Sequence, residues 1–120
     1  ENNDDIQNEV TENNGKNILV KRLDGFNAND LRTAVDRYKD KLKSAIIVLG
    51  TQEEGKAKIA VGVTKDNTEL VHAGELIKKI AQVVGGKGGG RPDFAQAGGP
   101  KAKKLDDALK LAKELIINKI

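Results

Sequence analysis

The feature that most constrains this chain is a glycine-rich stretch near its carboxyl end, residues 85–100, which reads GGKGGGRPDFAQAGGP. Seven of the thirteen glycines of the chain and both of its prolines lie in this stretch. Glycine adopts backbone conformations closed to other residues and lets a second molecule approach the main chain closely, although ordering it costs more entropy. Lys87 and Arg91 flank the glycine run 88–90, so exposed backbone amides would lie beside two cations. The stretch predicts a site for phosphate or another anion, with a mobile surface loop as the alternative.

Length and composition favour one soluble domain without disulfide bonds or thiolate metal sites. The chain has 120 residues, no cysteine, and only three aromatic side chains, Phe26, Tyr38 and Phe94. No apolar run approaches the roughly eighteen residues that a membrane span needs, and no signal-peptide pattern opens the chain, so we expect no membrane association and a cytoplasmic location. The chain contains no methionine, even at position 1, which predicts that it is a piece of a longer protein.

Charge is distributed unevenly along the chain. Residues 1–15 carry five acidic side chains and no cation, a net charge of −5, while the whole chain is +3, so residues 16–120 carry +8. We expect a disordered acidic linker over residues 1–15 and a single α/β domain over residues 16–120. A basic domain suits a polyanionic partner.

Apolar periodicity predicts alternating strands and helices in the domain. Residues 44–50 form a continuous apolar run, as in a central strand, and residues 56–64 alternate between apolar and polar, as in a strand with one buried face. Strands are also expected at 17–23 and, at an edge, at 94–97, and helices follow Asn27, span about 72–84, and begin at Pro100. The predicted fold is α/β: a mixed β-sheet of about four strands with three helices packed on it, in the order β-α-β-β-α-β-α.

The glycine run matches no standard nucleotide-binding loop. It lacks the last glycine of G-x-G-x-x-G, where Arg91 stands, and no Gly-Lys-Ser/Thr follows a strand as in a P-loop. Residues 85–88 satisfy the G-x-x-G of a KH domain, but more glycine and proline replace the helix that should follow. Aromatic platforms for stacking bases are also missing, which favours recognition of backbone, phosphate or shape.

Catalytic and metal sites find little support in the sequence. The lone His72 has no cysteine and no second histidine for a metal site, and its position at a helix start is typical of a capping or surface residue. Acidic residues surround it, but no nucleophile accompanies them. We therefore expect a non-catalytic chain with no metal and no cofactor of its own.

Three further cations follow the glycine stretch. Lys101, Lys103 and Lys104 are expected in the first turn of the last helix, and residues 85–104 carry a net charge of +4. Cations are disfavoured at that end of a helix unless an anion is bound there. The alternative is a solvated lysine-rich turn.

Several motifs of the chain resemble the C-terminal domain of alanyl-tRNA synthetases, the DHH-associated domain. The likeness covers roughly residues 16–116 and is carried by residues 62–66 (GVTKD), 71–76 (VHAGEL) and 84–99 (VGGKGGGRPDFAQAGG). The Asp24-Gly25 turn and the helix start Asp30-Leu31-Arg32 are also similar. In DHH-family phosphoesterases a histidine typically follows the glycine run, and Arg91 at this position favours the synthetases.

The resemblance implies a non-catalytic appendage of an alanine-tRNA ligase, which uses ATP to attach alanine to its tRNA and edits mischarged tRNA. In that family the domain contacts the outer corner (elbow) of tRNA and links aminoacylation with editing. Alanine-specific tRNA and the upstream aminoacylation and editing domains are the implied partners; ATP, magnesium and zinc are cofactors of the parent enzyme. The implied tRNA-binding residues are Lys87, Gly88, Gly89, Gly90, Arg91, Lys101, Lys103 and Lys104.

Two alternatives stay open. The domain is a dimerisation or interdomain module whose glycine stretch packs on another subunit, or it is the substrate-binding domain of a DHH-family phosphoesterase.

Overall fold

The computed structural model of the chain describes residues 10–120, in which six strands form one mixed sheet and three helices pack on it. The strands are β1 (Val10–Asn13), β2 (Lys16–Arg22), β3 (Ala45–Glu53), β4 (Lys56–Val63), β5 (Lys87–Gly90) and β6 (Phe94–Gly99). The helices are α1 (Ala28–Leu42), α2 (Ala73–Val83) and α3 (Leu105–Lys119), with 3₁₀ turns at Lys65–Asn67 and Ala102–Lys104. The predicted mixed α/β fold with three helices is confirmed.

The order of the strands across the sheet is β1-β2-β3-β4-β6-β5. β2 and β3 are parallel, because the α1 crossover between them returns the chain to the same end of the sheet. The other neighbouring pairs are antiparallel. The predicted edge strand at 94–97 is therefore an inner strand, and the glycine run forms the edge.

The sheet has six strands where the sequence predicted about four. The first addition, β1, falls within residues 10–15, which were assigned to the acidic linker; residues 1–9 of that linker lie outside the described residues. β1 and β2 are joined by Asn14 and Gly15, with φ of 56° and 79°. Asn-Gly is the preferred pair for the type I′ turn of a two-residue hairpin, so this dipeptide was the available signal for the strand. The second addition, β5, is the glycine run.

Each face of the sheet is covered by its own helices. On one face, Leu31 and Val35 of α1 pack with Leu19, Ile47 and Leu49 of β2 and β3. We call this the α1 face. The opposite face carries α2 and α3. Its buried core includes Ile46, Val48, Ile59 and Val61 from the sheet, Ile77 and Ile80 from α2, and Leu105 and Ile116 from α3.

The alternation in β4 was expected to leave one face in water, and that prediction is wrong for its second half. Ala60 is fully buried because α1 lies over it. At Gly62 an added Cβ would lie 2.3 Å from Cγ1 of Val35, so the helix rests directly on the strand. Polar exposure on this face is confined to the start of β4, at Lys56 and Lys58.

Capping residues mark the start of α1 and the end of α2. Asn27 caps α1 in a reciprocal capping box: its side chain accepts from the Asp30 amide at 2.8 Å, and the Asp30 carboxylate accepts from the Asn27 amide at 3.1 Å. Beyond α2, Gly85 takes a φ of 74°, as expected of a glycine that ends a helix.

A polar network joins the start of β3 to the end of β4. The hydroxyl groups of Ser44 and Thr64 both donate to the carboxylate of Asp66. These two hydrogen bonds lower the pKa of Asp66 below its usual value of 3.8, and the bond from Ser44 has the larger effect.

None of the helices within residues 10–120 has the length and apolar character of a membrane-spanning segment.

Candidate nucleic-acid interface

The glycine-rich stretch folds as a β-hairpin at the free edge of the sheet. Gly88 lies opposite Ala97, and Gly89 lies opposite Gln96. The tip is closed by the Arg91 amide, which donates to the Phe94 carbonyl at 2.9 Å. A strand was predicted at 94–97, but the glycine run before it was expected to be a loop, either anion-binding or mobile. The structure makes residues 87–90 an ordered edge strand, and anion binding there stays a prediction.

Most glycines of the hairpin are required by close packing of its own backbone. A Cβ on Gly88 would lie 2.2 Å from Cβ of Ala97, and one on Gly90 would lie 2.5 Å from the carbonyl oxygen of Phe94. A Cβ on Gly86 would lie 1.8 Å from the carbonyl oxygen of Gly98. Approaches of this kind exclude any side chain unless the backbone moves.

Gly89 differs from these neighbours. A Cβ added to it would meet nothing within 4 Å, and its φ lies outside the left-handed region. The fold therefore has no need for glycine at this position. Since strand residues alternate between faces, Gly89 is directed to the α1 face, while Gly88 and Gly90 are directed towards α2. The bare backbone at Gly89 is open to a ligand.

The tip of the hairpin is tied to the start of α2. The Ala73 amide donates to the Pro92 carbonyl at 2.8 Å, and the Gly74 amide donates to the Arg91 carbonyl at 3.1 Å. An added Cβ on Gly74 would lie 2.6 Å from the carbonyl oxygen of Gly90, so this helix start is packed against β5. Amides that would otherwise be free at the helix N-terminus are thus satisfied by the hairpin.

His72 serves the same helix start. Its Nδ1 accepts from the Glu75 amide at 3.2 Å, so the side chain of His72 caps α2. The capping role predicted for it is confirmed. Among residues 10–120 there is no group of three or more His, Cys, Asp and Glu side chains that could hold a metal ion.

The structure divides the predicted cations between two faces. Lys87 has the same strand parity as Gly89 and belongs to the α1 face. Arg91 directly follows β5 at the tip of the hairpin. Arg91 is 69% exposed and its guanidinium lies 3.4 Å from the Asp93 carboxylate, so part of its charge is neutralised locally.

Lys101, Lys103 and Lys104 lie elsewhere. They were expected in the first turn of the last helix, but α3 begins only at Leu105, and these residues form the connection and 3₁₀ turn before it. The side chain of Leu105 lies against Gly50 on the α2–α3 side of the sheet, which places Lys103 and Lys104 there. Lys104 is 3.9 Å from Asp107. Lys101 runs along Gly85, within 3.2 Å of a Cβ added there. The eight predicted residues therefore do not form one surface.

Sequence reasoning missed three polar residues beside the hairpin. Lys58 of β4 and Lys87 of β5 both lie opposite Gly98 of the intervening strand β6, so the three form one row across the sheet. The stem of Lys58 lies over Gly98, 3.4 Å from a Cβ added there. In the next row Gln96 donates its Nε2 to the carbonyl of Ala28 at 3.3 Å.

The third missed residue is Arg32 of α1. Its guanidinium carbon lies 5.3 Å from the centre of the Phe94 ring, within the range of a cation–π contact. We use the name basic sheet face for the surface formed by Arg32, Lys58, Lys87, Gly89, Arg91, Gln96 and Gly98. Its members come from α1, β4, β5, β6 and the hairpin tip, and they are brought together by strand register and by the packing of α1 on the sheet.

The comparison with known families agrees with this fold. The sequence profile of the DHHA1 domain matches residues 15–118, nearly the whole chain. The chain belongs to the DHHA1 domain family. Among curated relatives, an alanine–tRNA ligase from Hydrogenovibrio crunogenus is 49% identical over 113 residues, which is 94% of this chain and 13% of the relative. One from Cupriavidus necator is 48% identical over 117 residues, 98% of this chain and 13% of the relative.

A solved structure of a related domain shows the same fold. The C-Ala domain of alanyl-tRNA synthetase from Aquifex aeolicus superposes with a TM-score of 0.81 and 27% sequence identity, covering 90% of this chain and 97% of that one. The chain spans about 13% of the length of these two alanine–tRNA ligases.

Proposed function

We propose that this DHHA1 domain is the C-terminal tRNA-binding domain of an alanine–tRNA ligase, an enzyme that attaches alanine to its tRNA with ATP and edits mischarged tRNA. The observation that carries the proposal is the ordered glycine hairpin, whose open backbone at Gly89 lies beside Lys87 and Arg91. Relatives at 48–49% identity over almost the whole chain, both alanine–tRNA ligases, support it.

The physical character of the surface suits a structured RNA. A folded tRNA presents phosphates, 2′-hydroxyls and its overall shape, and these can be recognised without aromatic stacking platforms. The backbone at Gly89 permits close approach, and the net charge of +8 over residues 16–120 provides long-range attraction. In this proposal the domain contacts the outer corner of alanine-specific tRNA and holds it for both the aminoacylation and the editing domain. The proposed contact residues are Lys87, Gly88, Gly89, Gly90 and Arg91. Lys101, Lys103 and Lys104, which were grouped with them from the sequence, lie outside this hairpin and are not proposed as contacts.

The remaining parts of the proposal concern the parent enzyme. ATP and magnesium would serve the aminoacylation domain and zinc the editing domain, with the whole enzyme in the cytoplasm. No residue of this chain is assigned to hold any of these groups. The relatives favour a ligase over a DHH-family phosphoesterase as the parent.

The experiment that tests the proposal measures binding of alanine tRNA to the 120-residue chain by fluorescence anisotropy at 0.1 M salt. Arg91→Glu should weaken binding by roughly tenfold or more, because it removes a charge-assisted contact and adds a repulsive carboxylate beside Asp93. Arg37→Glu on the exposed side of α1 makes the same change of charge away from the hairpin, and it should have a much smaller effect. Equal losses for the two variants would show that only net charge matters.

Contact with the outer corner has a separate test. A minihelix made of the acceptor and T arms lacks the corner that the D and T loops form together. It should bind more weakly than the full tRNA at the same salt concentration. Equal affinity of the two RNAs would refute the elbow contact, and no binding of either RNA at low salt would refute tRNA binding by this domain.

A further inference from the structure

The basic sheet face is left open by the helices on its side of the sheet. α1 packs on β3 and β4, and it meets β6 at Arg32 and at the carbonyl of Ala28. α2 and α3 lie on the opposite side. Gly89 and Gly98 form the floor, and a shallow recess of about 230 Å³ lies where Lys58, Gln96 and Gly98 meet the start of α1.

The cations of this face are arranged around the glycine floor. Lys58 and Lys87 stand on either side of Gly98, two strand spacings apart, so their Cα atoms are separated by about 10 Å. Gly98 has no side chain of its own, and the stem of Lys58 lies over it, so the surface between the two ammonium groups stays low. A flat or convex anionic object can therefore rest on the backbone while both ammonium groups reach it from the sides.

Three of these cations have no local carboxylate. Within residues 10–120, no acidic group lies within 4.0 Å of the charged atoms of Arg32, Lys58 or Lys87, whereas Arg91 and Lys104 each have an acidic partner. Like charges gathered on one surface repel each other, and a polyanion relieves that repulsion.

Two features of this face favour RNA as the occupant over a generic polyanion. Gln96 uses one N–H of its amide on Ala28, which leaves a second N–H donor and the Oε1 acceptor for a group that both donates and accepts, such as a ribose 2′-hydroxyl. The contact with the Phe94 ring holds the Arg32 guanidinium in place, and its planar fork matches two oxygens of one phosphate.

We propose that the basic sheet face binds the sugar–phosphate backbone of folded RNA, with Arg32, Lys58 and Gln96 as contact residues in addition to the hairpin. The proposal rests on the proposed function of tRNA binding and assigns that function to one face of the sheet. Lys103 and Lys104, on the other face, then make no direct contact with the RNA. An acidic protein segment is the competing occupant, and the test separates it from RNA.

The test measures tRNA affinity over a series of salt concentrations for a matched pair of variants. Lys58→Ala and Lys103→Ala each remove one exposed or half-exposed lysine that has no ion-pair partner among residues 10–120. Loss of one phosphate contact should lower the slope of log K against log salt by roughly 0.7–0.9 and weaken binding several-fold for Lys58→Ala. Lys103→Ala should leave slope and affinity unchanged. A thermal melt of each variant verifies that it is folded.

A second variant separates geometry from charge. Arg32→Lys keeps the positive charge but loses the planar fork and the ring contact, so it should weaken tRNA binding several-fold with an unchanged salt slope. Poly-glutamate serves as the probe for an acidic protein partner, and it should bind at least tenfold more weakly than tRNA.

The outcomes distinguish this inference from the proposed function. If the unaltered chain binds tRNA but Lys58→Ala behaves like Lys103→Ala, the sheet face is not the contact surface, although the proposed function survives. If Arg32→Lys binds as well as the unaltered chain, the role of the guanidinium fork is refuted. If poly-glutamate binds as tightly as tRNA and loses affinity with Lys58→Ala, the face is a protein-binding surface. If the unaltered chain binds no tRNA, both proposals fail.

Discussion

Two adjacent glycines of β5 should respond in opposite directions to the same substitution. In Gly88→Ala the new methyl group would lie 2.2 Å from Cβ of Ala97, 2.7 Å from the carbonyl oxygen of Gln96 and 2.8 Å from Cα of Ala97. Two of these neighbours are backbone atoms, so no side-chain rotation can relieve the contact. In Gly89→Ala the methyl group meets nothing within 4 Å, and the backbone conformation suits an L-residue.

The magnitudes follow from these contacts. Overpacking typically costs 1–3 kcal/mol, and the backbone contacts at Gly88 place its substitution at about 3 kcal/mol. Gly→Ala at a compatible position stabilises by about 0.4–1 kcal/mol, because the unfolded chain loses conformational freedom. For a domain of this size, about 4 °C of melting temperature corresponds to each kcal/mol. Gly88→Ala should thus melt about 12 °C lower than the unaltered chain, and Gly89→Ala about 2–4 °C higher.

Thermal unfolding followed by far-ultraviolet circular dichroism measures both shifts on the purified 120-residue chain. The two variants differ only in which of two neighbouring residues carries the methyl group, so composition and charge are matched. Equal melting temperatures would refute the account of the hairpin as close-packed on the α2 side and open on the α1 side. If Gly89→Ala is also more stable yet binds tRNA less tightly, its glycine is retained for the ligand.

Two further predictions concern the supports of the fold. Hydrogen bonds from Ser44 and Thr64 lower the pKa of Asp66, so its carboxylate contributes stability that is fully present above the unfolded pKa near 3.8 and is lost as the pH falls through the lower folded pKa. In urea titrations, the difference in unfolding free energy between the unaltered chain and Asp66→Asn should be constant from pH 5 to 7 and shrink below pH 3.8. A difference that does not depend on pH would contradict this. Asn27→Ala removes the side-chain acceptor of the α1 capping box and should lower the free energy of unfolding by about 1 kcal/mol in the same assay. Asn118→Ala near the exposed end of α3 should change this free energy little, and equal effects of the two variants would argue against the cap.

The general architecture could be predicted from local patterns because its central elements carry strong hydrophobic signals. The apolar run at 44–50 became the buried middle strand β3, and the capping residue Asn27 was found from its side-chain chemistry. β5 was missed because glycine has no hydrophobic period. Its conformation is imposed by neighbours that lie across the strand, Ala95 and Ala97, and by the start of α2.

The candidate site was predicted only in part, for a related reason. Residues close together in sequence could be grouped, so Lys87 and Arg91 were recognised together. Lys58 lies 29 positions from Lys87 and joins it only through the register of β4, β6 and β5. Lys103 was grouped with Lys87 by proximity in sequence, but the chain crosses to the other side of the sheet between them. Face assignment needs strand pairing, which local patterns do not specify.

The hydrogen bonds from Ala73 and Gly74 to the hairpin tip have a consequence for the thermodynamics of recognition. Ordering a flexible glycine segment at the moment of binding would cost about 1–2 kcal/mol for each residue that becomes fixed. Here α2 already holds the tip, so this entropy is lost during folding and does not reduce the free energy of binding. The surface is preorganised. If the domain binds RNA as proposed, substitutions at the start of α2 should change the affinity without touching the RNA, because they alter the fraction of molecules whose hairpin is in place.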